Sequence, residues 1–312
     1  MSANNDNKKA DDILKMMSSC ASCGVAECDE IKLKQCADCD LVRYCSDECQ
    51  RDHRPFHEEA CKKRAAELRD ELLFRQPESS YLGDCPICML PLQLDLSKAS
   101  VTACCSKTIC NGCAHANYLR EEEEGFKYTC PFCREVSPTS KEESDKQRMK
   151  RIEANDPVAM RREGVDQGKK GDYMSAFEYC SKAAKLGDAE AHYKLVLMYE
   201  GYGVEKDRGK RIHHLEEATI GGHPTARYYL GWHEWDNDNT ERAVKHWIIA
   251  ATQGHDDSIK ALMDKFRFGS GKQRGSCCCS PCTSGRCRRN QEFAEGGSGR
   301  KCLKTRQVWS YY

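Results

Sequence analysis

Cysteines crowd into a few short stretches of this 312-residue chain. Of 23, eight fall in residues 20–61 and eight in 85–133; Cys180 stands alone, and six lie in 277–302. A segment so dense in thiols and so poor in large apolar residues cannot close an oil-like core. It folds by cross-linking its sulfurs, through disulfides or through a metal ion. The start, MSANNDNKKADDILK, is polar and mixed in charge and lacks the apolar centre of a secretory leader. No run of eighteen apolar residues offers a membrane span. A cytoplasmic or nuclear location is therefore expected, where thiols stay reduced, and metal is favoured over disulfides.

In the first cluster, Cys20 and Cys23 form one C-x2-C pair, and Cys36 and Cys39 a second. Such a pair makes a tight knuckle that aims two sulfurs at one ion. Cys45 and Cys49 are one helical turn apart and share a face, as are His57 and Cys61. Four pairs make two tetrahedral sites. A zinc site closed by four protein ligands keeps no position for water and is structural rather than catalytic. The string CADCDLVRYCSDECQRDHRPFHEEAC within residues 20–61 resembles the MYND-type zinc finger. The resemblance implies an interleaved pairing: Cys20, Cys23, Cys45 and Cys49 on one zinc, and Cys36, Cys39, His57 and Cys61 on the other. Cys28 and His53 are left over, read as a loop thiol and a solvated helix residue. Such fingers bind short peptides in a groove. Gln50 matches the family there, whereas Arg54 replaces its usual tryptophan.

The second cluster, CPICMLPLQLDLSKASVTACCSKTICNGCAHANYLREEEEGFKYTCPFCRE, holds three knuckles: Cys85–Cys88, Cys110–Cys113 and Cys130–Cys133. Cys104 and Cys105 complete a set of eight. Residues 81–138 resemble a RING finger of the all-cysteine kind. The resemblance implies Cys85, Cys88, Cys110 and Cys113 on one zinc and Cys104, Cys105, Cys130 and Cys133 on the other, four zinc ions in all. Adjacent cysteines tend to point apart, so a bend is expected near Ser106, with His115 as the reserve ligand. The family recruits a ubiquitin-conjugating enzyme, and the resemblance places Ile87, Pro131 and Arg134 at that contact. Its groove tryptophan is Asn117 here, with Tyr118 beside it. Two outcomes stand: a ubiquitin ligase acting by orientation alone, or a RING-like scaffold without that activity.

Residues 62–80 read as a helical linker ended by Pro77, and 139–155 as a charged linker, helical from about Lys146 to Glu153. From residue 156 a repeat begins. AAKLGDAEA, EATIGGHPTA and AATQGHDDS align on Gly187, Gly222 and Gly254, at intervals of 35 and 32 residues. Periods of this size signal stacked helix pairs, each glycine capping the second helix of a unit in the left-handed conformation. Residues 156–268 resemble Sel-one-like repeats, relatives of the tetratricopeptide repeat, with two full middle units and a worn unit at each end. The expected fold class is multi-domain: two small zinc-stabilised α+β modules followed by an all-α helical-repeat solenoid. Trp232, Trp235, His233, His246 and Trp247 read as packing, His213 and His214 as solvent-facing, and Cys180 as a small buried hydrophobe. Residues 1–19 and the Gly-, Ser- and Cys-rich 269–312 are expected to be disordered, the latter fitting no metal module and reading as a possible frame-shifted sequence.

The 49 basic and 49 acidic residues balance. Fifteen thiolates against the eight charges of four zinc ions would leave the loaded chain seven charges more negative. That opposes direct nucleic-acid binding. No three-ligand metal site, phosphate loop or nucleophilic triad is visible, and the helical remainder leaves no room for a methyltransferase domain. Proteins or peptides are the expected partners, with the repeats offering a concave surface.

Overall fold

A computed structural model describes residues 18–267. The expectations for residues 1–17 and for the tail from 268 onward lie outside the described residues. The chain divides into two compact units, residues 1–75 and 76–312.

The first unit pairs β1 (Lys34–Gln35) with β2 (Arg43–Tyr44) in antiparallel register, Lys34 opposite Tyr44. A 27-residue helix follows, α1 (Asp47–Leu73). Ser46 caps it by accepting from the Cys49 N–H, and Asp47 and Glu48 suit the positive end of its dipole. The helix carries Cys49, His57 and Cys61 and runs on without a break. The separate linker helix expected after residue 61 is thus a continuation of this one. KKRAAELRDELL holds strong helix formers and no glycine or proline, so nothing stops it. The core comprises Cys20, Leu33, Cys36, Cys39, Val42 and Tyr44. Half of it is sulfur, which marks the fold as ligand-held.

The second unit opens with the second cysteine module: a 3₁₀ turn at Leu96–Lys98, the hairpin β3 (Ala99–Val101) and β4 (Thr108–Cys110), and α2 (Asn111–Glu123). Ser100 lies opposite Ile109. Its buried core is Cys85, Leu92 and Ile109, too little apolar surface to fold alone. Helices then run in sequence: α3 (Lys141–Glu153), α4 (Pro157–Lys170), α5 (Tyr173–Lys185), α6 (Ala189–Met198), α7 (Arg208–Ile220), α8 (Pro224–Asp236), α9 (Thr240–Thr252) and α10 (Asp256–Arg267). Successive helices pack on one another.

One joint recurs along this array. Residues 155, 171, 187, 222, 238 and 254 all take positive φ, between 57° and 89°. In each case the next N–H reaches back five residues to a carbonyl, as from His223 to Ala218 at 2.9 Å. That next residue then starts the following helix: the side chains of Asp156, Asp172, Asp188 and His223 accept a hydrogen bond from its first turn. A left-handed cap and a helix start are thereby fused into two residues. Only α6 and α7 are joined otherwise, by a longer turn holding Gly201 and Gly203. The described array holds three complete pairs, α4–α5, α6–α7 and α8–α9, then α10.

Packing positions repeat as well. Ala159, Ala191, Ala226 and Ser258 each follow a left-handed residue by four and are buried. Cys180, Leu215 and Trp247 each precede a capping glycine by seven and are fully buried. The stretch expected as a charged linker is also part of the fold. Arg148 of α3 is buried and pairs with Glu163 at 2.9 Å and Asp166 at 3.0 Å on α4.

The second cysteine module is fastened to the array. The Tyr81 hydroxyl donates to Glu190 Oε2 at 3.1 Å. Arg162 donates to the Val101 carbonyl at 3.2 Å. Glu190 also meets His223 at 2.9 Å and Lys194 at 3.1 Å. No helix among the described residues is long and apolar enough to cross a membrane.

Candidate metal centres

Five tight turns of one design build the cysteine sites. They span residues 20–24, 36–40, 85–89, 102–106 and 130–134. In each, the fifth N–H donates to the first carbonyl at 2.8–3.2 Å, and the fifth residue has φ between 54° and 76°. The fold-back turns amide N–H groups toward the sulfurs. In the fourth turn Thr102 stands where the others carry cysteine, its hydroxyl 3.2 Å from Cys105 Sγ. Cys105 is thus the closing sulfur of a disguised knuckle, and Cys104 enters from inside the turn. The bend falls at Ser106, φ 56°, where the sequence required one.

These turns bring together four sets: Cys20, Cys23, Cys45 and Cys49; Cys36, Cys39, His57 and Cys61; Cys85, Cys88, Cys110 and Cys113; and Cys104, Cys105, Cys130 and Cys133. Within each, the four ligand atoms lie within 4.8 Å of one another. Sulfurs at about 2.3 Å on a tetrahedral zinc stand about 3.8 Å apart. Cys36–Cys61 is 3.8 Å, Cys88–Cys110 3.9 Å and Cys105–Cys130 3.7 Å. A disulfide requires about 2.05 Å. Cys39 Sγ lies 3.1 Å from His57 Nε2.

Electrostatics fit the same ion. Burial opposes ionisation of Cys20, yet the N–H groups of Cys23, Cys45 and Ser22 outweigh it and bring the thiol down to about 6. Burial likewise opposes ionisation of Cys85, and N–H donors from Cys110, Cys88 and Ile87 bring it to about 6. Hydrogen bonding to Cys23 and Cys49 raises Cys45 to about 12, and burial followed by the Cys39 and Cys36 sulfurs raises Cys61 to about 12. Four thiolates cannot share such a space without a cation. A dication at the centre removes the conflict and lets all ionise. Burial and His53 lower His57, keeping it a neutral ligand. The donor sets fit zinc.

The remaining candidates fall outside the sets. Cys28 is exposed. His53 is not simply solvated: its Nδ1 meets the Tyr44 hydroxyl at 3.1 Å. His115 lies against Tyr118. Ile87 is 44% exposed, and Arg134 is exposed with φ 61°. Pro131 lines a cavity of about 400 Å³ with Tyr118, Tyr128 and Asn117, whose lining includes neither Ile87 nor Arg134. Asn117 donates to Glu121, and Glu121 accepts from the Thr129 hydroxyl at 2.8 Å. Asn117 is thus part of an internal brace.

Residues 20–61 match the model of the MYND finger family. This stretch is a MYND finger. Chitin synthase regulatory factor 4 of Schizosaccharomyces pombe is 31% identical over 86 residues, 27% of this chain and 14% of that protein. The chain therefore spans about a seventh of that relative's length. The Sel1 repeat protein from Oxalobacter formigenes is 24% identical with TM-score 0.39, over 50% of this chain and 63% of that one. A protective antigen of uropathogenic Escherichia coli with an SLR fold is 20% identical with TM-score 0.38, over 50% of this chain and 34% of the other. The MYND finger supplies the zinc-binding and protein-interaction character of the first unit, and the helical array is evident in the recurring joints of this chain itself.

Proposed function

We propose that this chain is a zinc-stabilised adaptor for proteins or peptides, holding four zinc ions, two in the MYND finger and two in residues 85–133. The observation that carries it is the closure of all four donor sets by four side-chain ligands each. A closed set leaves no position for substrate or activated water, so the metal's work is structural and the recognition lies in surfaces. The Schizosaccharomyces pombe relative is a regulatory factor, which agrees with such a role. Elemental analysis of the purified chain should give about four zinc ions. Partner capture should be lost in Cys36→Ser, which opens one MYND site. Capture unchanged in that variant would remove the MYND finger from the reading.

A second reading is a RING-type ubiquitin ligase, in which Ile87, Pro131 and Arg134 meet a conjugating enzyme. It is favoured by the exposure of Ile87 inside a ligand knuckle and of Arg134 directly after the last ligand. Such a ligase would act by holding a charged conjugate near a lysine. Auto-ubiquitylation against a panel of conjugating enzymes decides. Transfer that disappears in Ile87→Ala with zinc content unchanged establishes it. No transfer with any enzyme at full zinc loading leaves the adaptor.

A further inference from the structure

Two histidines meet across the middle helix pair. His192 on α6 and His214 on α7 place Nδ1 against Nδ1 at 3.0 Å. His192 Nε2 lies 3.0 Å from the Ala184 carbonyl oxygen. A carbonyl only accepts, so the proton of the neutral ring sits on Nε2 and the lone pair on Nδ1, facing His214. Histidine metal ligands are oriented this way, the far N–H held by a carbonyl and the near nitrogen free for the ion. The 3.0 Å separation matches two nitrogens at about 2.1 Å on neighbouring positions of a six-coordinate ion.

The surroundings suit a cation. Glu217, one turn beyond His214, is the acidic group whose charge acts on both rings. Asp188 acts on His192 as well, while His213 and Lys210 oppose added positive charge. Burial is the first reason that His192 is lowered and that His214 is brought to about 4. Both rings are therefore neutral near pH 7, and His214 need only shift its proton from Nδ1 to Nε2 to offer both Nδ1 lone pairs. Tyr199 stacks on His214, ring centroids 5.6 Å apart, which fixes the ring plane. These residues also join the pair of helices that lacks the short fused joint, so a cross-link there would staple the array's longest connection.

We propose that His192 and His214 form a fifth metal site, exchangeable and distinct from the four cysteine sets, with Glu217 nearby as a compensating charge. Two imidazoles suit a borderline divalent ion such as nickel, copper or zinc. The remaining positions belong to water.

Nickel is the probe, added to the full chain already loaded with zinc at the cysteine sets. Calorimetry should show one nickel ion per chain, with the zinc content unchanged. His192→Gln and His214→Gln should each weaken binding at least about tenfold, while His213→Ala should leave it intact. Copper bound at the site should show a paramagnetic spectrum with two equivalent nitrogen couplings, reduced to one in either single variant. That readout depends on ligation rather than on helix stability, so a variant that is merely looser still reports. Nickel retained in the His192→Gln, His214→Gln double variant, or lost in His213→Ala, would overturn the site.

Discussion

Gly231 on α8 lies flat against the indole of Trp247 on α9. A β-carbon at residue 231 would stand 2.5 Å from Trp247 Nε1. The equivalent pair two units earlier is Gly164 and Cys180, where the same atom would meet Cys180 Sγ at 2.9 Å. These two helix pairs thus fit a core residue by removing the side chain opposite, whereas the middle pair carries Val196 at that position. Gly231→Ala should destabilise the array by about 1–3 kcal/mol, the usual cost of overpacking. Urea unfolding followed by tryptophan fluorescence measures it, and an unchanged midpoint would show that the indole moves aside freely.

Excess chelator should unfold the MYND finger and residues 85–133 while much of the array's helix remains. The small modules depend on thiolates for their cores, whereas α4 to α9 bury alanine, leucine and tryptophan. Circular dichroism before and after chelation gives the answer. Complete loss of helix in one step would mean that the array itself needs the metal.

Cys104→Ser should lower the zinc content by about one ion. Cys28→Ser and His115→Ala should leave it unchanged, since both residues lie outside the four sets. Elemental analysis of the three variants tests the disguised knuckle directly: a full complement in Cys104→Ser would give its place to another ligand.

Acid should weaken the array in two stages. His246 is buried on α9 and brought down to about 3, first by burial and then by Arg227 and Arg242. Its folded value lies below the unfolded one of about 6.5. As the pH falls from 6.5 toward 3, the unfolded chain takes up a proton that the folded chain refuses. Stability therefore declines by up to about 1.4 kcal/mol per pH unit, and above 6.5 this contribution is constant. Burial opposes the charge on Glu190, but Lys194 and His223 prevail and hold its carboxyl well below the usual range. That contribution is present above about 4.5 and lost below it. Unfolding free energies across pH 4–8 for the native chain and His246→Leu should show a shallower slope in the variant.

Tyr81→Phe should loosen the second cysteine module from the array. It deletes the hydroxyl donor to the buried Glu190 and should cost about 1–2 kcal/mol. Hydrogen exchange of residues 81–84 should quicken without loss of zinc. Unchanged exchange would mean that the Arg162–Val101 contact and the packing of the residue-81 ring on His223 suffice to hold the module.

Much of this was legible in spacing. The ten knuckle cysteines lie in C-x2-C pairs, His57 and Cys61 are one helical turn apart, and the bend at Ser106 follows from two adjacent ligands. Gly187, Gly222 and Gly254 announced their helix ends because glycine alone adopts the left-handed cap without strain. Asn155 and Asp238 make the same caps but carry no such signature. Thr102 hid a knuckle by supplying its backbone without a sulfur.

The sequence by itself determined which atoms can bind metal and where helices must stop, since thiol spacing and left-handed turns are local properties of a few residues. The tertiary structure decided which distant groups share an environment: Tyr81 with Glu190, Arg148 with Glu163, and His192 with His214, the last pair 22 residues apart. His214 was read from sequence as solvent-facing, and only the packing of α6 on α7 turns its ring against His192. Burial, pairing and the resulting pKa shifts come from helices stacking at a fixed angle and register, and no local pattern encodes that geometry.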